Sequence, residues 1–159
     1  MLHALVLTVA FAIPTYGPMP MPSGTPPVPA ARVPTAADEA LIVNSGSTNS
    51  AGYRLRVYAD GTTALQQGDA AVRKHVPLAL VKRFFADLRA AGPLDALPRA
   101  ACMKSVSFGT STYVGYRGKL SPDLTCPSAS RAERALAVDA DALAAAGGVT
   151  MLLRPQPSP

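Results

Sequence analysis

The stretch from Pro77 to Pro93, Pro-Leu-Ala-Leu-Val-Lys-Arg-Phe-Phe-Ala-Asp-Leu-Arg-Ala-Ala-Gly-Pro, carries a start signal, a periodic apolar face and a stop signal in one piece. Leu78, Val81, Phe85 and Leu88 recur at helical spacing, Phe84 and Ala91 widen the stripe, and Lys82, Arg83 and Arg89 can reach water. Proline is tolerated at a helix start, where its missing N–H costs nothing, and Gly92 followed by Pro93 stops the helix. A stripe of this width has to be buried against another element. The apolar surfaces available are alternating segments on either side.

Those segments read as strands. Glu39 to Val43 begins the first, and Tyr53 to Tyr58 alternates, with Tyr53, Leu55 and Val57 on one face and Arg54, Arg56 and Tyr58 on the other. Asp60-Gly61 is a hairpin turn signal, Thr62 to Gln67 returns, and Ala71 to Val76 follows, with Arg73 and His75 alternating against Val72 and Lys74. Beyond the helix, Ser105 to Thr110 and Ser111 to Arg117 read as two further strands, Gly118 turns the chain, and Lys119 to Cys126 runs back. Ser130-Arg131-Ala132-Glu133 fits a capping box opening a second helix, which lasts to about Ala146 before Gly147-Gly148. The expected fold is α+β, an antiparallel sheet with two helices packed on one face in the order strands, helix, strands, helix.

Proline and charge set the boundaries. Eight of the 16 prolines lie between Pro14 and Pro34, three more close the chain, and no Lys, Arg, Asp or Glu precedes Arg32. An uncharged, proline-rich stretch does not build a packed core. The expected layout is a signal segment over 1–13, a Pro-rich flexible linker over 14–39, one domain over 40–149 and a Pro-rich tail over 150–159. Leu2 to Ile13 has the length of a signal-peptide core and is too short to span a bilayer, and Ala10-Phe11-Ala12 offers a small-x-small cleavage site, although no Lys or Arg precedes the run. Cys102 and Cys126 are an even count without the C-x-x-C spacing of a redox or zinc site, which fits a disulfide in an exported protein. Periplasmic or extracellular localisation is the expectation; two free thiols in a cytosolic chain is the alternative.

Catalytic signatures are sparse. The sequence has no G-x-S-x-G, H-E-x-x-H, G-x-x-x-x-G-K-[ST] or G-x-G-x-x-G motif. His75 is the one histidine outside the expected signal segment, so no histidine metal site and no cofactor is expected. A hydrolase would have to use His75 as base, with Asp60, Asp69 or Asp123 and a serine. Asp60 is accounted for by the turn, Asp87 by a pair with Arg83 one helical turn earlier, and Glu133 by the capping box; Asp139 and Asp141, two apart on a helix, do not face each other.

Charge is more informative. Eleven basic residues fall between Arg54 and Lys119 against four acidic ones, while the whole chain carries only +5. Arg54, Arg56 and Tyr58 share one side of a strand, and Tyr113 and Arg117 lie on another. If those strands neighbour each other, the open sheet face is basic and interleaved with tyrosines, suited to an anionic polysaccharide, a lipid headgroup layer or an acidic protein, and to nucleic acid if the chain is cytosolic. The Gly/Ser loop 44–52 reads as a flexible connector; no helix follows it to favour anion binding.

Tyr53-x-Leu55-x-Val57-x-x-Asp60-Gly61, Cys102-x-Lys104-Ser105-x-Ser107-Phe108-Gly109-Thr110 and Ser121-Pro122-Asp123-Leu124-x-Cys126 together resemble small exported bacterial domains known as sequence families and not by function. The resemblance covers about Val43 to Ala146. It implies a secreted, disulfide-bonded α+β domain and transfers no activity. The expectation is thus a non-catalytic interaction module contacting anionic envelope components through the face bearing Arg54, Arg56, Tyr58, Tyr113 and Arg117. The alternatives are a hydrolase at His75 and a protease-inhibitor-like module presenting the loop from Cys102 to Cys126.

Overall fold

A computed structural model of the chain describes residues 32–150; the expected signal segment, most of the proline-rich linker and residues 151–159 of the tail lie outside the described residues. Six strands form one sheet: β1 (Glu39–Asn44), β2 (Tyr53–Tyr58), β3 (Thr62–Gln67), β4 (Ala70–His75), β5 (Thr112–Tyr116) and β6 (Lys119–Leu120). Every neighbouring pair is antiparallel, in the order β4-β3-β2-β1-β5-β6. Helix α1 (Leu78–Ala91) carries the chain from the β4 edge across to β5, and α2 (Arg131–Gly147) packs beside it.

Alternation decides which side of the sheet the helices cover. Ala40 and Ile42 of β1, Leu55 and Val57 of β2, Leu65 of β3, and Val114 and Tyr116 of β5 join Val81, Phe84, Phe85, Leu88, Leu136 and Leu143 of the helices in one core. Phe85 stands edge-on to both Phe84 and Tyr116, with ring centroids 5.9 Å apart in each pair. Phe84 is fully buried, so truncation to alanine there would cost about 3–5 kcal/mol. Gly147 ends α2 against this face; a Cβ there would come within 3.1 Å of Leu55 Cδ1. Both helices therefore lie on one side, as the sequence predicts.

Several boundaries differ from expectation. Pro77 caps α1 from outside, and Leu78 is exposed in the first turn while the rest of the stripe from Val81 to Leu88 is buried. Ser105 to Thr110 is not a strand. The Gly109 N–H donates to the Ser105 carbonyl at 2.7 Å, folding those residues into a tight turn that leaves Val106 and Phe108 in solvent. The segment after Gly118 runs back beside β5 but pairs regularly only over Lys119–Leu120. Beyond it the Ser121 and Leu124 N–H groups still donate to Val114 and Thr112, while Pro122, lacking an N–H, breaks the ladder.

The packed domain also reaches back before residue 40. Pro34 is buried, and its carbonyl accepts from the Gly118 N–H at 2.8 Å. Val33 lies against Gly115, where an added Cβ would meet Val33 Cγ1 at 3.0 Å. The last residues of the linker are therefore part of the fold. They lie on the side of β5 facing away from the helices.

Candidate functional site

The sheet face turned away from the helices is built from the residues between the core positions. Register places Tyr113, Val43, Arg54, Gln66 and Ala71 in one row across five strands, and Gly115, Leu41, Arg56, Ala64 and Arg73 in the next. Leu41 and Val43 are only 1% and 2% exposed although they stand outside the helix-covered core, so this face has an apolar floor of its own. Arg54, Arg56 and Arg73 rise around that floor, and with Ala64, Ala71 and Leu41 they line an open cavity of about 520 Å³. Small residues between long ones make the depression.

The charges in this cavity are unequally satisfied. Arg56 is ion-paired with Glu39, diagonally across β1, and that pair is half-buried. Arg54 and Arg73 make no ion pair or hydrogen bond among the described residues. Two guanidinium groups with ten donors between them thus face solvent over an apolar floor.

Of the residues the sequence suggests for a binding face, Arg54, Arg56 and Tyr58 stand together on one side of β2. Tyr113 lies on the same face, but Val43 separates it from Arg54 and it is buried. Arg117 does not join them. It sits in the β5–β6 turn with a left-handed φ of 49°, and its guanidinium stacks 5.2 Å from the ring of Tyr116, a residue of the helix-side core. Arg73, which the sequence shows only as a polar position on a strand, takes the place expected of Arg117, because Ala64 of β3 stands between Arg73 and Arg56. Only the register could have revealed it.

His75 is exposed at the end of edge strand β4, opposite Thr62, and makes no hydrogen bond to a serine or carboxylate among the described residues. Asp60, whose charge it feels, is held below the usual carboxylate range mainly by the Thr62 backbone N–H, as a turn residue should be. Arg83 pairs not with Asp87 but with Asp139 on α2, its Nε donating to Oδ1 at 2.7 Å. The expected capping box is half formed: Ser130 Oγ accepts from the Glu133 N–H, while the Ser130 N–H donates to Ser128 Oγ instead of to Glu133.

A second polar cluster escapes sequence reading altogether. Lys104 Nζ donates to the Thr110 carbonyl at 2.7 Å and to Ser111 Oγ at 2.9 Å, and it also bonds Asp123 and Thr125. Lys104, Ser111 and Asp123 line a cavity of about 570 Å³ beside the Cys102–Cys126 disulfide. A serine beside a lysine invites comparison with nucleophilic chemistry, which requires the amine to be neutral. Here Lys104 Nζ is shared among four oxygens, one of them a carboxylate, so its donors are spent on holding the loop together. Burial acts to raise the Asp123 carboxyl, but hydrogen bonds from Lys104, Ser111 and Thr125 together hold it below the usual range. The arrangement is a staple across the disulfide loop.

The Gly/Ser loop 44–52 is the other half of that staple, not a free connector. Its amides are spent locally or on the disulfide loop: Ser45 N–H on Ser111, Gly46 N–H on Asn44 Oδ1, Ser47 N–H on Ser50 and Asn49 N–H on Ser107. Few N–H groups are left there to cradle an anion.

Among the described residues, no cysteine is free, no group of His, Cys, Asp or Glu is placed to hold a metal ion, and no helix is long and apolar enough to cross a membrane. The disulfide is consistent with an oxidising, exported environment. Fold and surface together define a disulfide-bonded α+β domain with a basic open sheet face. Comparison with protein-family models, with characterised proteins and with solved structures finds no match.

Proposed function

We infer that this protein is an exported, non-catalytic binding module of the periplasm or cell exterior that holds an anionic envelope polymer on its open sheet face. The observation that carries this reading is the cluster of Arg54, Arg56 and Arg73 around one apolar-floored depression, two of the three without a side-chain partner among the described residues. Their spacing favours a polymer over a single small anion. Arg54 and Arg56, two residues apart on one strand, are about 7 Å apart, and Arg56 and Arg73, two strands apart, are roughly 10 Å apart at the backbone. Charges laid out at such intervals on an open surface match a row of phosphate, sulfate or carboxylate groups.

Retention on an immobilised sulfated polysaccharide tests it. Arg54→Glu combined with Arg73→Glu should elute at clearly lower salt than the parent protein, with the melting temperature unchanged, because neither side chain is bonded to another described residue. Lys82→Glu with Arg89→Glu, exposed on α1, makes the same change in net charge elsewhere. Equal loss of retention in both double variants would refute a specific face.

A further inference from the structure

The turn between Cys102 and Thr110 spends its polar groups inward and its apolar ones outward. Met103 is fully exposed, Val106 is 85% exposed and Phe108 is 63% exposed. Three large apolar side chains on six consecutive residues, all in solvent, are unusual on a domain with a well-filled core. The backbone beneath them is nonetheless tied down. The Ser107 carbonyl accepts from both the Asn49 N–H and Ser47 Oγ, at 3.1 and 2.8 Å, and the Val106 carbonyl accepts from Thr48 Oγ1 at 3.2 Å. The disulfide and the Lys104 ammonium hold the two ends of the turn, at Cys102 and Thr110. These bonds keep Val106 and Phe108 from folding back onto the domain.

We propose that this turn is a docking knob whose occupant is another protein, one offering an uncharged apolar pocket to Met103, Val106 and Phe108. Charge and shape single out that partner. The one charge in residues 101–111 is Lys104, which points inward onto Asp123, so the turn itself presents no free cation to an anionic lipid surface. The cavities of about 570, 520, 540 and 360 Å³ on the described surface each carry charged side chains, so none of them is the uncharged pocket that would seat this knob in a second copy. A backbone fixed before binding lowers the ordering cost of entering a shaped pocket, an advantage that a fluid surface would not use. The hydrogen bond from Gly109 to Ser105 closes the chain into a turn, so it is presented as a knob and not as an extended segment.

The test is site-specific photo-crosslinking of the full chain in the cells that produce it. Phe108→p-benzoylphenylalanine and Val106→p-benzoylphenylalanine are compared with the same replacement at Val138, which is equally apolar and exposed but on α2. The expected result is one crosslinked protein at positions 106 and 108 and none at 138, identified by mass spectrometry. The purified partner should then bind the unmodified chain and lose about tenfold or more in affinity to Phe108→Ser, whose melting temperature should match the parent's. Crosslinks to lipid, to a second copy of this chain, to the same proteins from all three positions, or to nothing would each overturn the proposal. So would undiminished partner affinity in Phe108→Ser.

Discussion

The ammonium of Lys104 is ion-paired with the carboxylate of Asp123, just inside the two ends of the loop that Cys102 and Cys126 close. Covalent and electrostatic ties thus act on the same segment, and Thr110, Ser111 and Thr125 fill the remaining valences of the pair.

Removing one partner leaves the other half-buried and unpaired. Lys104→Met should lower stability by about 1–3 kcal/mol, the range for a hydrogen-bonded charge that loses its partner. Chemical denaturation measures this. Hydrogen exchange should also quicken at the Thr125 amide, which donates to Asp123 Oδ1 at 3.0 Å.

The acid limb of stability should depend on Asp123. Its folded-state pKa lies below the ordinary carboxylate value, so its contribution is present above the unfolded pKa and is lost as pH falls through the folded one. Asp123→Asn should therefore be less stable than the parent near neutrality and lose that difference in acid. Denaturation midpoints across the acid range check it.

Asp139 should behave in the opposite sense. Burial, aided by Asp87, holds its carboxyl above the usual range against the opposing bond from Arg83, and Oδ2 has no hydrogen-bond partner among the described residues. A raised folded pKa means that stability falls as pH rises from the unfolded value through the folded one. Asp139→Asn can still accept from Arg83 and should be more stable than the parent at pH 7 by about 1 kcal/mol, with the gain vanishing in acid. The same pH series of denaturation curves decides it.

Opening the disulfide should cost roughly 3–4 kcal/mol on the chain-entropy account, given a sequence separation of 24. Cys102→Ser with Cys126→Ser should show this as a lower melting temperature, while the core of β1, β2 and the helices keeps its hydrogen-exchange protection.

Gly115→Ala should dislodge the end of the linker. The new methyl meets Val33, and the Gly118 amide loses its Pro34 acceptor. Faster hydrogen exchange at Gly118 with little change at Val114 is the expected pattern.

The parts of this fold that sequence shows are those fixed by local periodicity. Tyr53–Tyr58 and Thr62–Gln67 alternate around a turn that only Asp60-Gly61 needs to make, and α1 carries its stripe within four turns. Val106 and Phe108 mislead because alternation is a proxy for burial, and here the alternating residues are exposed around a turn closed by Gly109. The arginine-bearing face is half legible in the sequence. Arg54 and Arg56 follow from one strand's alternation, whereas Arg73 enters through the pairing of β3 with β4, and Arg117 leaves because a left-handed residue at a turn turns it onto Tyr116. Lys104 and Asp123 stood in the sequence as parts of two separate motifs; their meeting is a long-range contact that no local pattern encodes.

The arginine-lined depression is proposed as the binding surface. The most direct measurement is NMR amide and arginine Nε shift mapping of the full chain titrated with a sulfated oligosaccharide at low salt. Saturable shifts concentrated at Arg54, Arg56, Ala64 and Arg73, weakening as salt is raised, are the expected result. Shifts scattered over every exposed Lys and Arg, or centred on α1 around Lys82 and Arg89, would contradict it.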